Sequence, residues 1–123
     1  MSVISIMMHL ERGDSLELAR ELADHLTNED NTIRLSEIEA SAIDRPELGC
    51  SLETVADSLH LAVSIGGDGT MLRTFDRVAR FGVPVLGVNV GHLGYLTEFE
   101  ADEAKGAIDA ALKGALPVEE RLM

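Results

Sequence analysis

The feature that most constrains this fold is a short apolar run that passes directly into a glycine-rich loop and then into a helical pattern. Leu61-Ala62-Val63-Ser64-Ile65 has the length and the apolar content of a buried strand. Gly66-Gly67-Asp68-Gly69-Thr70 follows at once, and apolar residues then recur with helical period as far as Ala79. This order predicts a strand, a tight loop and a helix, which is the repeating unit of a parallel sheet.

The same alternation extends along the whole chain. Apolar runs predict strands at residues 3–8, 32–38, 61–65 and 83–88. Amphipathic stripes predict helices at residues 14–26, 71–79 and 104–112, and the last two are followed by Gly82 and Gly114. Asp14 is expected to cap the first helix, with Glu17 completing a capping box. The predicted fold class is α/β, a Rossmann-like parallel sheet with flanking helices.

Two stretches interrupt this regular pattern. Pro46 and Gly49 break residues 39–60, which we expect to form a mobile or variable connection. Pro84 lies inside the run at residues 83–88. A proline within a strand indicates either an edge position or the first residues of the strand.

Charge and composition limit the partners that this chain can take. A formal net charge of −12 argues against nucleic acid and anionic membranes, and no apolar run reaches the length of a membrane span. Cys50 is the only cysteine, so an intramolecular disulfide is impossible and a reducing cytoplasm is expected. An acidic surplus with only two lysines, Lys105 and Lys113, resembles the proteins of salt-loving organisms. An ordinary acidic cytoplasmic protein is the alternative.

The glycine loop has the composition of a phosphate site that also performs chemistry. Ligands of open α/β sheets bind beyond the carboxyl ends of the strands, which is where Gly66 stands. Glycines let backbone N–H groups approach phosphate, and the start of the next helix adds partial positive charge. Asp68 would repel phosphate, so it needs a task such as holding a metal or accepting a proton. A purely structural turn would explain the glycines but not Asp68, and the combination indicates phosphoryl transfer.

Two linked motifs resemble those of the NAD kinases. Residues 66–70, preceded by an apolar strand, resemble the signature loop of that family. Related loops occur in diacylglycerol kinases, sphingosine kinases and phosphofructokinases, so this motif alone indicates only a superfamily. Residues 89–96 (Asn-Val-Gly-His-Leu-Gly-Tyr-Leu) resemble the Asn-x-Gly-x-Leu-Gly-Phe-Leu segment of NAD kinases at a similar distance downstream. The resemblance covers residues 61–100 well and the rest of the chain in outline.

The resemblance implies an enzyme that transfers a phosphoryl group from ATP or inorganic polyphosphate to the 2′-hydroxyl of NAD, with Mg²⁺ or another divalent cation. It implies that Asp68 is the catalytic base for that hydroxyl and that Arg73 is a cation for phosphate. The remaining implied binding residues belong to the phosphate loop or to the NAD pocket: Gly66, Gly67, Gly69, Thr70, Asn89, Gly94 and Tyr95.

The sequence departs from the family pattern in two places. Tyr95 stands where many members have phenylalanine, which keeps a ring for stacking and adds a hydroxyl. The family's Asn-Glu pair, which follows this region, is not found there, and Asn28-Glu29 stands too early in the chain to replace it. We therefore expect residues 1–116 to form the N-terminal domain of a two-domain enzyme and residues 117–123 to begin the connection to a C-terminal domain. The 123-residue chain alone is expected to be inactive, and the complete enzyme is expected to be a homo-oligomer.

Other candidate sites and functions are weaker. The histidines His9, His25, His60 and His92 show no metal-ligand spacing, so no metal site is predicted from the side chains. Two other functions remain as alternatives. One is a lipid kinase of the diacylglycerol or sphingosine type, and the other is a non-catalytic nucleotide-binding regulatory domain.

Overall fold

The computed structural model describes residues 2–51, 54–55, 59–90 and 99–112, apart from the side chain of Arg80. Within these ranges no helix has the length and the apolar character needed to cross a bilayer. The predicted segments at 91–98 and 117–123 lie outside the described residues.

The described strands form one parallel sheet. Their bounds are β1 (Val3–Met8), β2 (Thr32–Ser36), β3 (Gly49–Cys50), β4 (Leu61–Gly66), β5 (Val85–Asn89) and β6 (Phe99–Glu100). They lie in the order β3-β2-β1-β4-β5-β6, and every neighbouring pair is parallel. β2 and β3 are added in turn on one side of β1, and β4 pairs with the other side of β1. The strand order therefore reverses between β1 and β4, which is where open α/β sheets bind their ligands.

Helices cover both faces of this sheet. The longer described helices are α1 (Gly13–Asn28), α2 (Glu37–Ala42), α3 (Asp68–Val78) and α4 (Ala104–Leu112), with 3-10 turns at Pro46–Leu48, Ala79–Phe81 and Ala101–Glu103. One buried cluster joins α1 and α4 to the sheet through side chains such as Leu22, Ile65 and Ile108. A smaller cluster on the other face joins α3 to β4 and β5 through Met71 and Val85. The α/β class with helices flanking a parallel sheet is confirmed.

The second predicted strand is too long. It ends at Ser36 rather than Ile38, because Ser36 begins α2. The Ser36 hydroxyl accepts a hydrogen bond from the Glu39 N–H at 3.2 Å, and the Glu39 carboxylate accepts one from the Ser36 N–H at 3.4 Å. This capping box satisfies N–H groups at the start of the helix, which ends the strand pattern two residues early.

The predicted cap of α1 is wrong. The helix begins at Gly13, Arg12 occupies the N-cap position, and no side chain caps it. Asp14 lies inside the first turn, where its carboxylate accepts hydrogen bonds from Arg12 and from the Ser15 N–H. The Arg12 guanidinium holds the pKa of Asp14 below its usual value, through hydrogen bonding first and charge second.

Residues 39–60 contain more regular structure than a mobile connection. The described part includes the end of α2, the turn at Pro46–Leu48 and strand β3. The strand predicted at residues 83–88 is β5, which begins at Val85, so Pro84 lies just before the strand rather than among its first residues. β5 lies between β4 and β6, so the alternative of an edge position is wrong. A proline just before a strand costs no ladder hydrogen bond within it.

Candidate functional site

Hydrogen bonds join the chain after β1 to the end of β4. The His9 N–H donates to Ile65 O and to Ser15 Oγ, both at 3.0 Å. The buried Ser15 hydroxyl donates in turn to Ile65 O at 2.9 Å. These bonds link the carboxyl ends of β1 and β4 at the point where the strand order reverses.

Gly66 occupies a position that only glycine adopts easily. Its φ is +154°, and a Cβ there would lie 2.6 Å from Thr70 Oγ1 and 3.3 Å from His9 Cβ. The Gly66 carbonyl accepts a hydrogen bond from the Val90 N–H at 2.9 Å, which continues the pairing of β4 with β5. The turn at this glycine therefore follows from the chain's own sterics.

Gly67, Asp68 and Gly69 form the start of α3. Gly67 is the N-cap residue with an extended backbone, and Asp68 is the first helical residue and is half-buried. A Cβ at Gly67 or at Gly69 would meet no atom of the described residues within 4 Å. Nothing in the described part of the chain excludes a side chain at these two positions, and the N–H groups of a first helical turn lack intrahelical partners. An anion can therefore approach this backbone closely.

Thr70 and Arg73 lie one turn further along α3. Thr70 is buried, and its Oγ1 accepts a hydrogen bond of 3.4 Å from Arg73 Nη2. Arg73 itself is exposed. A bond of this length holds a guanidinium only loosely, which leaves donors for an anionic ligand.

An open cleft of about 440 Å³ lies beside these residues at the carboxyl ends of β1 and β2. It is lined by Met7, Met8, His9, Leu10, Glu11, Ser36, Ile38, Glu39, Arg73 and Arg77. Arg77 lies four residues after Arg73 and therefore on the same face of α3. Its Nη1 lies 3.1 Å from Oε1 of Glu39, which is 4% exposed. The buried carboxylate offsets the charge of Arg77, whereas the described residues place no carboxylate in ion-pair contact with Arg73.

Asn89 brings an unsatisfied polar atom to the same edge of the sheet. It pairs with Gly66 in the register of β4 and β5 and is 4% exposed. Its Oδ1 is buried and has no hydrogen-bond partner among the described residues, and the same is true of Ser64 Oγ. A buried unpaired acceptor is costly, so this atom is available to a donor group on a ligand.

The structure brings together Asp68, Thr70, Arg73, Asn89 and the three loop glycines, all predicted from the sequence. Gly94 and Tyr95, also predicted, lie outside the described residues. Sequence reasoning missed His9, Glu39 and Arg77. The four-residue spacing from Arg73 was the available signal for Arg77, whereas His9 and Glu39 reach the cleft only through the strand order.

Comparison with known proteins agrees with these features. The family model of the ATP-NAD kinase N-terminal domain matches residues 10–116. An NAD kinase from Moorella thermoacetica is 39% identical over 123 residues, which are all of this chain and 39% of that protein. An NAD kinase from Chlorobium phaeobacteroides is 38% identical over 118 residues, covering 94% of this chain and 40% of that protein. The chain thus spans about two fifths of the length of these relatives.

A solved structure shares the fold. The crystal structure of a yeast NADH kinase in complex with NADH superposes with a TM-score of 0.80 at 20% identity, over 94% of this chain and 39% of that chain. The matched family model does not favour the lipid-kinase alternative. With the family model matching residues 10–116, this chain belongs to the ATP-NAD kinase family and carries its N-terminal domain.

Proposed function

We propose that the protein carrying this chain transfers a phosphoryl group to the 2′-hydroxyl of NAD and so forms NADP. The observation that carries the proposal is the turn Gly66-Gly67-Asp68, which places a carboxylate at the start of α3, where the strand order of the sheet reverses. Catalysis of phosphoryl transfer depends mainly on positioning and on electrostatic stabilisation. This chain offers a preformed turn and, in Arg73, a cation that has no carboxylate partner among the described residues.

The loop residues are assigned separate roles in this proposal. Asp68 aligns the ribose hydroxyl and accepts its proton. Gly67 and Gly69 let the dinucleotide approach the backbone, which is supported by the open space where each Cβ would stand. Gly66 sets the turn, and Thr70 packs beneath it.

Arg73 is the proposed cation for phosphate. Its exposure and its loose bond to Thr70 leave the guanidinium fork available, and bidentate binding of phosphate oxygens suits this geometry. Arg77 lines the same cleft, but its pairing with buried Glu39 makes it a support for the helix more than a ligand-binding group.

The NAD pocket is proposed to include Asn89, Gly94 and Tyr95. The unpaired Oδ1 of Asn89 supports the first assignment, because a hydroxyl or amino group of a bound nucleotide would satisfy it. The assignments of Gly94 and Tyr95 rest on the sequence motif alone.

The donor is proposed to be ATP or inorganic polyphosphate, with Mg²⁺ or another divalent cation. The donor set fits a hard cation that is held mainly by phosphate oxygens, because the loop supplies one carboxylate, Asp68, and no soft ligand. When bound, such a cation neutralises phosphate charge and orients the donor.

Several properties of the whole protein belong to the same proposal. We infer a C-terminal domain that supplies the other wall of the site, since the relatives are more than twice as long as this chain. A homo-oligomeric enzyme, a cytoplasmic location and adaptation to high salt complete the hypothesis. The salt adaptation is supported by the net charge of −12.

The test is an assay of substrate range. The protein is incubated with NAD, diacylglycerol or sphingosine, each with ATP or with polyphosphate and Mg²⁺. We expect NADP formation and no lipid phosphorylation. Phosphorylated lipid would establish the lipid-kinase alternative, and saturable NAD binding without turnover on either donor would establish the regulatory one.

A further inference from the structure

Three possible metal ligands converge on the edge of the sheet opposite the candidate nucleotide site. His25 lies near the end of α1, Glu29 is the residue that caps that end, and Asp109 lies on α4. His25 Nε2 is 3.1 Å from Glu29 Oε1 and 3.9 Å from Asp109 Oδ2, and one ligand atom from each residue lies within 4.8 Å of the other two. Two helices that are distant in sequence therefore meet at this cluster.

The position of the cluster separates it from the nucleotide site. A helix that follows a parallel strand runs back against it, so α1 ends beside the amino ends of the strands. The contacts there agree, because the Ser2 N–H donates to Asn31 Oδ1 at 3.0 Å and the Thr32 N–H donates to Ser2 O at 2.8 Å. Asp68 stands at the carboxyl ends, across the length of the sheet.

The imidazole of His25 lacks a satisfactory partner. Its Nε2 atom is buried and makes no hydrogen bond to any described residue, although Glu29 Oε1 is only 3.1 Å away. The two atoms are close in distance but not aligned for a hydrogen bond. Burying a polar nitrogen without a partner carries a cost, which a ligand between the two side chains would remove.

The charges around this nitrogen favour a cation. Glu29 places a carboxylate at the negative end of the α1 dipole, where a negative charge is unfavourable, and Asp109 adds a second. In the described part of the chain, no arginine or lysine lies within ion-pair distance of either carboxylate. The side chains of His25, Glu29 and Asp109 are 31%, 48% and 35% exposed. An ion can therefore reach the carboxylates from solvent, and rotation of these side chains would admit it to the buried Nε2.

We propose that His25, Glu29 and Asp109 bind a divalent transition-metal ion of the zinc class, with water at the fourth position. One imidazole and two carboxylates form a ligand set that zinc accepts, and the imidazole disfavours Mg²⁺ and Ca²⁺. Ligand atoms of a tetrahedral zinc site lie about 3.4 Å apart. The cluster therefore needs only small side-chain rotations to close on the ion, which would then clamp α1 to α4.

The experiment is a calorimetric titration of the chelator-treated protein with Zn²⁺. Any affinity tag is removed, and excess Mg²⁺ is present so that sites for hard cations are occupied. We expect one saturable zinc site, a rise in Tm on binding, and the absorption of a tetrahedral ion when Co²⁺ replaces Zn²⁺. His25→Gln and Glu29→Ala should each weaken Zn²⁺ binding at least about tenfold.

Glu21→Ala is the matched control, because it removes an exposed carboxylate from the same helix and should leave zinc binding unchanged. Far-ultraviolet circular dichroism establishes whether each variant is folded. If His25→Gln does not fold, the zinc affinity of Glu29→Ala tests the proposal. Absence of saturable zinc binding in the wild type would overturn the proposal. Wild-type affinity in the folded variants would overturn it as well.

Discussion

The glycines of one motif serve different purposes at the residue scale. Gly66 is favoured by the chain itself, since its φ of +154° and the 2.6 Å approach to Thr70 Oγ1 make any side chain there costly. Gly69 is exposed and helical, and no described residue lies where its Cβ would stand, so a ligand accounts better for glycine there than the described part of the chain does. The motif was recognisable from the sequence, but this division of roles was not, because it depends on a φ angle and on Thr70 packing beneath the turn.

Alanine at the two positions should therefore give opposite effects on stability. Gly66→Ala should destabilise the protein by about 1 to 3 kcal/mol through strain and overlap with Thr70. Gly69→Ala should leave stability unchanged or raise it by up to about 1 kcal/mol, because alanine favours the helix. NAD affinity of Gly69→Ala should nevertheless fall at least about tenfold, or about 1.4 kcal/mol. Urea unfolding measures the stability of each variant, and titration with NAD measures its affinity. Unchanged NAD affinity in Gly69→Ala would contradict the proposed contact between NAD and the backbone of Gly69.

At the scale of elements, α2 and α3 are joined by a nearly buried ion pair. Glu39 forms the capping box of α2 together with Ser36. Its carboxylate also accepts a hydrogen bond of 3.1 Å from Arg77 Nη1 of α3. The sequence pattern indicated α3, because a long amphipathic stripe is a local signal, but the helix begins at Asp68 rather than at Met71. It ends at Val78, and Gly82 ends the 3-10 turn that follows. The sequence pattern missed α2, because six residues are too few to show a helical period and Thr32–Ser36 leads into them without a break. The cleft beside α3 was therefore not foreseeable from local patterns.

Loss of the Glu39 charge should loosen α3 from the sheet edge. Glu39→Gln leaves Arg77 without its carboxylate and weakens the cap of α2, so stability should fall by about 2 kcal/mol. Glu37→Gln, an exposed change in the same helix, is the matched control and should alter stability far less. The two variants are compared by urea unfolding at neutral pH. Equal urea midpoints for Glu39→Gln and Glu37→Gln would show that the ion pair between Glu39 and Arg77 contributes nothing to stability.

At the scale of the whole molecule, the order of the strands in the sheet could not be predicted from the sequence. The presence of a parallel sheet followed from alternating strands and helices, but which strands are neighbours depends on contacts between distant segments. That order places His9, Asp68 and Asn89 at one edge of the sheet and His25 near Asp109 at the other. Two ligands of the proposed metal site, His25 and Glu29, are four residues apart, but Asp109 joins them only in the folded chain, so the complete ligand set was not visible in the sequence.

The net charge makes a prediction for the whole molecule. Twelve uncompensated negative charges repel one another in the compact state at low ionic strength. At about 1 M salt the screening length falls to about 3 Å. Tm should therefore rise between dilute buffer and molar KCl. Chloride is preferred to sulfate, because sulfate also strengthens apolar burial. A flat or falling Tm would contradict adaptation to high salt.

The proposed catalytic role of Asp68 is tested by introducing Asp68→Asn into the complete protein that carries this chain and measuring its turnover of NAD at saturating NAD and donor. Asparagine keeps the size of the side chain but cannot accept the proton, so kcat should fall by about two to four orders of magnitude while NAD affinity changes much less. Asp76→Asn is the matched control, since Asp76 is an exposed carboxylate of the same helix and should be replaceable without effect on kcat. Near-normal kcat in Asp68→Asn, or an equal loss in both variants, would contradict the assignment of Asp68.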